Sequence, residues 1–191
     1  MTYLSRCAWL TADPLYQAYH DNEWGRPCYD AKNLFAQLML EGQQAGLSWL
    51  TVLRKRESYR KVFANFDPSV IAQYDEHHVA KLVQNPDIIR HRKKIEAIIH
   101  NAGCWVREEQ SGRDWVEYLW RYAPDKKNRD IRLSDIPTQT TESVALSHAL
   151  KLDGFRYVGP TICYAFMQAV GMVNDHDQQC FKYVCHAPEY V

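Results

Sequence analysis

The sequence predicts an all-α protein, and three observations carry that prediction. Apolar residues recur at helical spacings, while period-2 alternation is nearly absent. Helix-start signals repeat: Asp13-Pro14 and Asp67-Pro68 each place a capping acid before a proline at the first helical position. Finally, the stretch from Pro160 to Val173 is apolar nearly all round, as a central helix is.

The elements follow in order. Asp13-Pro14 opens a short helix through Tyr16, Tyr19 and His20. Asp30 caps a helix that runs to Ala45, with Leu34, Leu38 and Ala45 on one apolar stripe. Ser48 caps Trp49 to Phe63, Asp67-Pro68 starts a short turn, and Asp75 to Gln84 makes another short helix. Ile88 to Glu109 is longer, with Ile88, Ile95, Ile98, Ile99, Ala102, Trp105 and Val106 on one face and Gly112 as its stop. Asp114 to Tyr122 is a brief amphipathic piece. Residues 123–138 read as a polar, Lys/Asp-rich loop, the segment expected to be most mobile. Helices resume from Thr141 to Leu152 and from Pro160 to Val173. No internal repeat interrupts the pattern, so residues 1–191 are expected to form a single domain.

Composition narrows the function classes. Lys plus Arg and Asp plus Glu both number 23, so no overall charge draws the chain to nucleic acid or membrane. Contact with a polyanion must come from local patches. Met1 to Arg6 contains no apolar leader core, and no run approaches the ~20 residues of a membrane span. The expected location is the cytoplasm, with no membrane partner. The cysteines at 7, 28, 104, 163, 180 and 185 show no disulfide framework, which points to metal binding or buried thiols.

Glu41 is the candidate functional acid. It lies three residues after Leu38 and seven after Leu34, on the margin of the apolar stripe. A carboxylate on a helix's buried side costs several kcal/mol unless something pairs with it. Either Glu41 snorkels out at the core edge, or takes a hydrogen bond from Gln44 or an indole, or it is a functional group at the floor of a pocket. The six Trp and twelve Tyr exceed what a helical core requires. Trp105, Trp115 and Trp120 read as ordinary core. Trp9, Tyr16, Tyr19, Trp24 and Trp49 gather early; around a buried acid, such a cluster suits a flat, electron-poor ring.

Two further features carry chemistry. His176 and Cys180 stand four apart, so one helical turn could aim both at one ion, and Cys7 and His20 lie at the other end of the chain. Two Cys and two His make a closed tetrahedral zinc set, with buried thiols and surface imidazoles as the plain alternative. Such an ion would be structural and would staple the chain ends together, since four protein ligands leave no open position. The remaining histidines, His77, His78, His91, His100, His148 and His186, read as surface or cap residues. The second feature is Gly154-Phe155-Arg156-Tyr157-Val158-Gly159-Pro160-Thr161, a tight turn between two helices whose outward N–H groups suit a phosphate, although any helical hairpin looks similar.

Long, colinear runs then bring a family into view. Asp13-Pro14-Leu15-Tyr16, Tyr19-His20-Asp21-Asn22-Glu23-Trp24-Gly25, Glu41-Gly42-Gln43-Gln44-Ala45-Gly46-Leu47-Ser48-Trp49 and Ile88-Ile89-Arg90-His91-Arg92-Lys93-Lys94-Ile95 resemble the bacterial 3-methyladenine DNA glycosylase I (Tag) family. So do the hairpin segment, Phe166-Met167-Gln168-Ala169 and Val173-Asn174-Asp175-His176. The resemblance spans Cys7 to Cys180. It implies the helix-hairpin-helix glycosylase fold, removal of N3-methylated adenine from alkylated double-stranded DNA, and a structural zinc held by Cys7, His20, His176 and Cys180. It also makes Glu41 the pocket acid that reads the base and matches Tyr16, Tyr19, Trp24 and Trp49 to the pocket aromatics, with Trp9 nearby. The protein is expected to act as a monomer.

The residue types suit that chemistry. Methylation at N3 leaves adenine positively charged, so Trp and Tyr faces gain a cation–π attraction that normal adenine lacks. A carboxylate at the base edge can accept from the exocyclic amine, and the charge already makes the base a good leaving group. Gln43 to Leu47 is expected to wedge into the gap left by the extruded base, with Gly46 and Leu47 meeting the DNA and Leu47 as the apolar tip. Val158, Gly159 and Thr161 would meet phosphate, helped by Arg54-Lys55-Arg56, Arg90 and Arg92-Lys93-Lys94, although each basic run also suits a solvated helix face.

Two departures from the wider superfamily matter. Arg156 and Tyr157 fill the middle of the hairpin, and Thr161 stands where strand-cutting relatives carry a lysine, so no Schiff base and no strand cleavage are expected. The superfamily's catalytic aspartate has no clean counterpart; Asp175 is the nearest acid. Two rival functions are a zinc-stapled binding module without chemistry, which has no use for a buried acid, and a zinc hydrolase, which needs an open metal position.

Overall fold

The computed structural model describes residues 4–125 and 136–183. Its elements are α1 (Pro14–Asn22), α2 (Ala31–Gln44), α3 (Trp49–Val62), a 3₁₀ turn (Ala64–Phe66), α4 (Pro68–Ile71), α5 (Glu76–Gln84), α6 (Arg92–Gln110), α7 (Trp115–Trp120), α8 (Thr141–Leu152) and α9 (Pro160–Ala169). The protein is all-α as expected, with no strand among the described residues. The expected loop at 123–138 lies largely outside them.

Side-chain caps set most helix starts. The carboxylates of Asp13, Asp30, Asp67, Asp75 and Asp114 and the hydroxyls of Ser48 and Thr140 accept the unpaired N–H groups of the helices they precede. Two boundaries differ from the sequence reading by more than two residues. α6 begins at Arg92 rather than Ile88, because His91 takes an extended backbone and its imidazole accepts from Lys94 N. Ile88 is still buried, but from the segment before the helix. α9 stops at Ala169 rather than Val173. Gly171 adopts a left-handed φ of 74°, and the N–H groups of Gly171 and Met172 close back onto Gln168 O and Met167 O. A side chain there would also collide with the Arg26–Pro27 peptide, which lies 2.5 Å from where a Cβ would stand.

α2 is the central helix of the packing around the site, lying against α3, α6 and α9, while α8 pairs with α9 as a helical hairpin. Leu34, Phe35, Leu38, Leu40, Phe166 and Met167 are fully enclosed between these helices. Asn101 on α6 fixes the hairpin turn, donating to Arg156 O at 2.9 Å and accepting from Arg156 N at 2.8 Å. Tyr157 in that turn sits against Gly42 of α2, where a Cβ would meet it at 3.3 Å. Trp105 and Trp115 stack in the core as expected, with centroids 4.1 Å apart, and Trp120 packs at its margin. No described helix is long and apolar enough to cross a membrane.

Candidate active site and metal cluster

α1, α2, the start of α3 and α9 enclose a cavity of about 360 Å³, within the ~300–1,000 Å³ range usual for small-molecule sites. Trp9, Tyr16, Tyr19, Trp24, Glu41 and Trp49 all line it, so the structure brings every expected pocket residue to one place. Trp9 meets Tyr16 and Trp24 at centroid distances of 5.2 and 5.0 Å, and Tyr19 meets Trp49 at 5.5 Å. Their faces and edges form a box of π surface.

Glu41 is 3% exposed, which removes the snorkelling alternative. Its hydrogen-bond partner is neither Gln44 nor an indole: Gln37, one helical turn earlier, donates Nε2–H to Oε1 at 2.7 Å. Burial outweighs this neutral bond and pushes the carboxyl up to about 8. The Tyr16 and Tyr19 phenols are also raised, first by burial and then by the Glu41 charge, so both remain O–H donors. The Trp49 indole N–H is buried without a hydrogen-bond partner. A pocket with such groups is prepared for a guest that brings positive charge and hydrogen-bonding edges.

Sequence reasoning missed Gln37 and Gln168. Gln37 was findable, since it stands at i−4 from Glu41 on the same helix. Gln168 lines the cavity from α9, and its Nε2 donates to Asp175 Oδ2 at 2.8 Å, where the Tyr164 hydroxyl also donates. Asp175 therefore stands behind Gln168 rather than among the cavity-lining residues.

Beside the pocket, Cys7, His20, His176 and Cys180 converge with their ligand atoms all within 4.8 Å of one another, and all four are buried. Cys7 Sγ and Cys180 Sγ lie 3.4 and 3.6 Å from His176 Nδ1, and Cys180 Sγ lies 3.4 Å from His20 Nε2. Metal–ligand bonds of ~2.0–2.3 Å in a tetrahedron give edges of about 3.3–3.8 Å, so this set could hold a metal ion. Both sulfurs accept a backbone N–H, from Asp177 and Lys182. His20 Nδ1 meets Asp21 Oδ1 at 2.8 Å, and Arg6 grips Asp21 with two nitrogens, fixing the imidazole so that Nε2 faces the cluster. The four-residue spacing of His176 and Cys180 is realised by a turn, Cys180 N to Asp177 O, and not by the helical turn expected. Trp24 packs edge-on to His176 at 4.6 Å and so joins cluster to pocket.

The expected DNA-contacting residues fall into two exposed places and one buried one. Gly46 and Leu47 lie at the tip of the link between α2 and α3, with Leu47 42% exposed. Gly159 caps α9, and Thr161 is exposed in its first turn. Val158 is 1% exposed and its carbonyl accepts from Ser147 Oγ at 2.6 Å, so its side chain serves the core. Of the basic runs, Arg54, Arg56 and Arg92 are held by Asp13, Glu23 and Glu76, Lys55 by Pro86 O, and Lys94 is buried. Arg90 and Lys93 are exposed.

Helical fold and aromatic, acid-floored cavity together form a site whose shape and residue types suit a flat, electron-poor ring. The chain belongs to the methyladenine glycosylase family, whose pattern it matches over residues 9–183. It is 52% identical over 187 residues to DNA-3-methyladenine glycosylase 1 of Escherichia coli K12, covering 97% of this chain and 100% of that protein. A crystal structure of 3-methyladenine DNA glycosylase I is similar with a TM-score of 0.90 and 53% identity, over 93% of this chain and 98% of the other. A further glycosylase I structure, a tyrosine-to-phenylalanine variant in complex with 3-methyladenine, is similar with a TM-score of 0.87 and 38% identity, over 97% and 99% of the two chains.

Proposed function

We propose that this protein is a monofunctional DNA glycosylase that flips 3-methyladenine out of alkylated double-stranded DNA and removes it by hydrolysis, leaving an abasic site. The observation that carries the reading is the buried Glu41 facing a box of aromatic rings in a chain of this family. Trp9, Tyr16, Tyr19, Trp24 and Trp49 hold the cationic base by its faces. Glu41 accepts from its exocyclic amine, and the arriving positive charge favours the carboxylate over the acid that burial otherwise enforces. Normal adenine brings no such charge and is left in the helix. Because the methylated base is already an activated leaving group, the enzyme need only extrude it, exclude competitors and stabilise an oxocarbenium-like state until water attacks.

No lysine lines the cavity among the described residues, and Thr161 stands at the hairpin position, so the reaction forms no Schiff base. Leu47 and Gly46 fill the gap left by the base, while Gly159 and Thr161, and Val158 through its backbone alone, place the hairpin on phosphate. In this reading α8, its turn and α9 are the helix-hairpin-helix motif, and residues 1–191 form one glycosylase domain. Cys7, His20, His176 and Cys180 hold a zinc ion whose role is structural, since four protein ligands leave no open position. The enzyme works in the cytoplasm as a monomer and has no membrane partner.

The test is incubation with N-methylated duplex DNA, chromatography of the released bases, and borohydride trapping. Free 3-methyladenine, an intact strand and no covalent adduct are expected. Release of no base would overturn the proposal, and a trapped adduct would overturn the monofunctional part of it.

A further inference from the structure

Lys94 stands in a place that ordinary core packing does not explain. It is 5% exposed, and its pKa is lowered by burial. It also lies in the first turn of α6, where the helix dipole disfavours a cation. Its ammonium is nevertheless well bound, because it reaches the opposite kind of helix end. Nζ donates to Gln43 O at 2.8 Å and to Ala45 O at 2.6 Å, the carbonyls at the C-terminus of α2. Gln43 answers by donating Nε2–H to Lys94 O at 3.2 Å, and Tyr59 Oη donates to Gln43 Oε1 at 3.0 Å. Gln43 and Tyr59 are buried as well.

What this network holds is the link between α2 and α3. Ala45 leaves the helix with ψ 114°, Gly46 turns with φ 77°, Leu47 N returns to Gln44 O at 2.7 Å, and Ser48 caps α3. The result is a tight turn that carries Leu47 outward at its tip. An apolar tip replaces a flipped base only if it arrives already placed, since a mobile loop would have to be ordered during extrusion.

We propose that Lys94 is a positioning residue for DNA engagement, its buried ammonium fixing the end of α2 so that Gly46 and Leu47 are preset to enter the duplex. The inference rests on the reading of Leu47 as the wedge, and it deepens that reading by separating placement of the tip from recognition of the base. Lys94 serves the step in which the nucleotide leaves the stack. It touches neither the cavity nor the base.

The test compares wild type, Lys94→Met, Leu47→Ala and the double variant in single-turnover excision from methylated duplex and from methylated single strand, beside binding of free 3-methyladenine followed by tryptophan fluorescence. Lys94→Met keeps the length of the side chain and removes the charge; Lys94→Gln serves if that variant does not fold. Duplex excision is expected to fall at least roughly tenfold in Lys94→Met, with single-strand excision and free-base affinity within about twofold of wild type. The double variant should be no worse than Leu47→Ala alone, because both changes remove one function. Parallel losses on duplex and single strand, or additive losses in the double variant, would overturn the inference in favour of a merely structural lysine. If Leu47→Ala loses duplex excision and Lys94→Met does not, the inference alone fails. If Leu47→Ala is silent, the wedge reading fails and the inference goes with it.

Discussion

The pocket and the Cys/His cluster adjoin through Trp24, and both bury polar side chains, yet they treat them in opposite ways. In the cluster, ligand atoms face one another at 3.4–3.6 Å, His20 rests on Asp21, and Asp21 rests on Arg6. In the pocket, Glu41 has one neutral donor, its carboxyl is forced upward, and the Trp49 N–H has no partner. Buried polar groups that serve the fold are paired within it. Those that serve a ligand are left short of partners, and the fold bears the cost.

The largest effect is expected at the cluster. Cys180→Ser, or a chelator, should remove the zinc proposed for this site and lower stability by several kcal/mol, enough to unfold a domain of ordinary stability. Elemental analysis beside thermal unfolding checks this, and a fully stable metal-free protein would remove the staple from the account.

The pocket should respond in the opposite direction. Between its unfolded value of 4.5 and its folded value of about 8, Glu41 keeps a proton that the unfolded chain has released. Its contribution to stability is therefore complete below about pH 4.5 and is lost as pH rises through about 8, a change of a few kcal/mol. Glu41→Gln cancels this dependence, so the variant should gain on wild type as pH is raised from 5 to 8.5. Denaturant midpoints at several pH values give the difference curve. A variant that loses stability uniformly would place Glu41 among the fold's own supports.

A smaller effect belongs to the unpaired indole. Trp49→Phe keeps an aromatic ring but deletes the N–H together with the pyrrole half of the indole, so folding should weaken modestly from the space left behind. Free-base affinity should weaken by only a few-fold, the equivalent of about 0.5–1.5 kcal/mol for one neutral hydrogen bond. Fluorescence or calorimetric titration of 3-methyladenine measures it, and an unchanged affinity would mean that the base does not use this donor.

Much of this was legible in the sequence because it depends on local rules. Asp13, Asp30 and Asp67 announce helix starts by capping chemistry, and those caps form as read, while Asp75 and Asp114, read only as the first residues of their segments, prove to be caps as well. The aromatic cluster around Glu41 was readable because an acid on an apolar margin needs an explanation. What stayed hidden depends on distant partners. Gly171 ends α9 where hydrophobicity alone would continue it, and the collision with Arg26–Pro27 that requires glycine there comes from the other end of the chain. Lys94 reads as one cation in a basic run until α2 is placed beside it. Arg54, Arg56 and Arg92 look available for phosphate until their acidic partners, 16 to 41 residues away, come into contact.

Whether the Glu41 charge reads a cationic base is decided by single-turnover excision of 3-methyladenine by wild type and Glu41→Gln, beside thermal unfolding of both. Gln keeps the shape and removes the charge. A charge-assisted hydrogen bond is worth about 1.5–3 kcal/mol, so excision should fall roughly tenfold to a hundredfold while stability holds or rises. Unchanged excision, or a loss that merely follows unfolding, would contradict that role of Glu41.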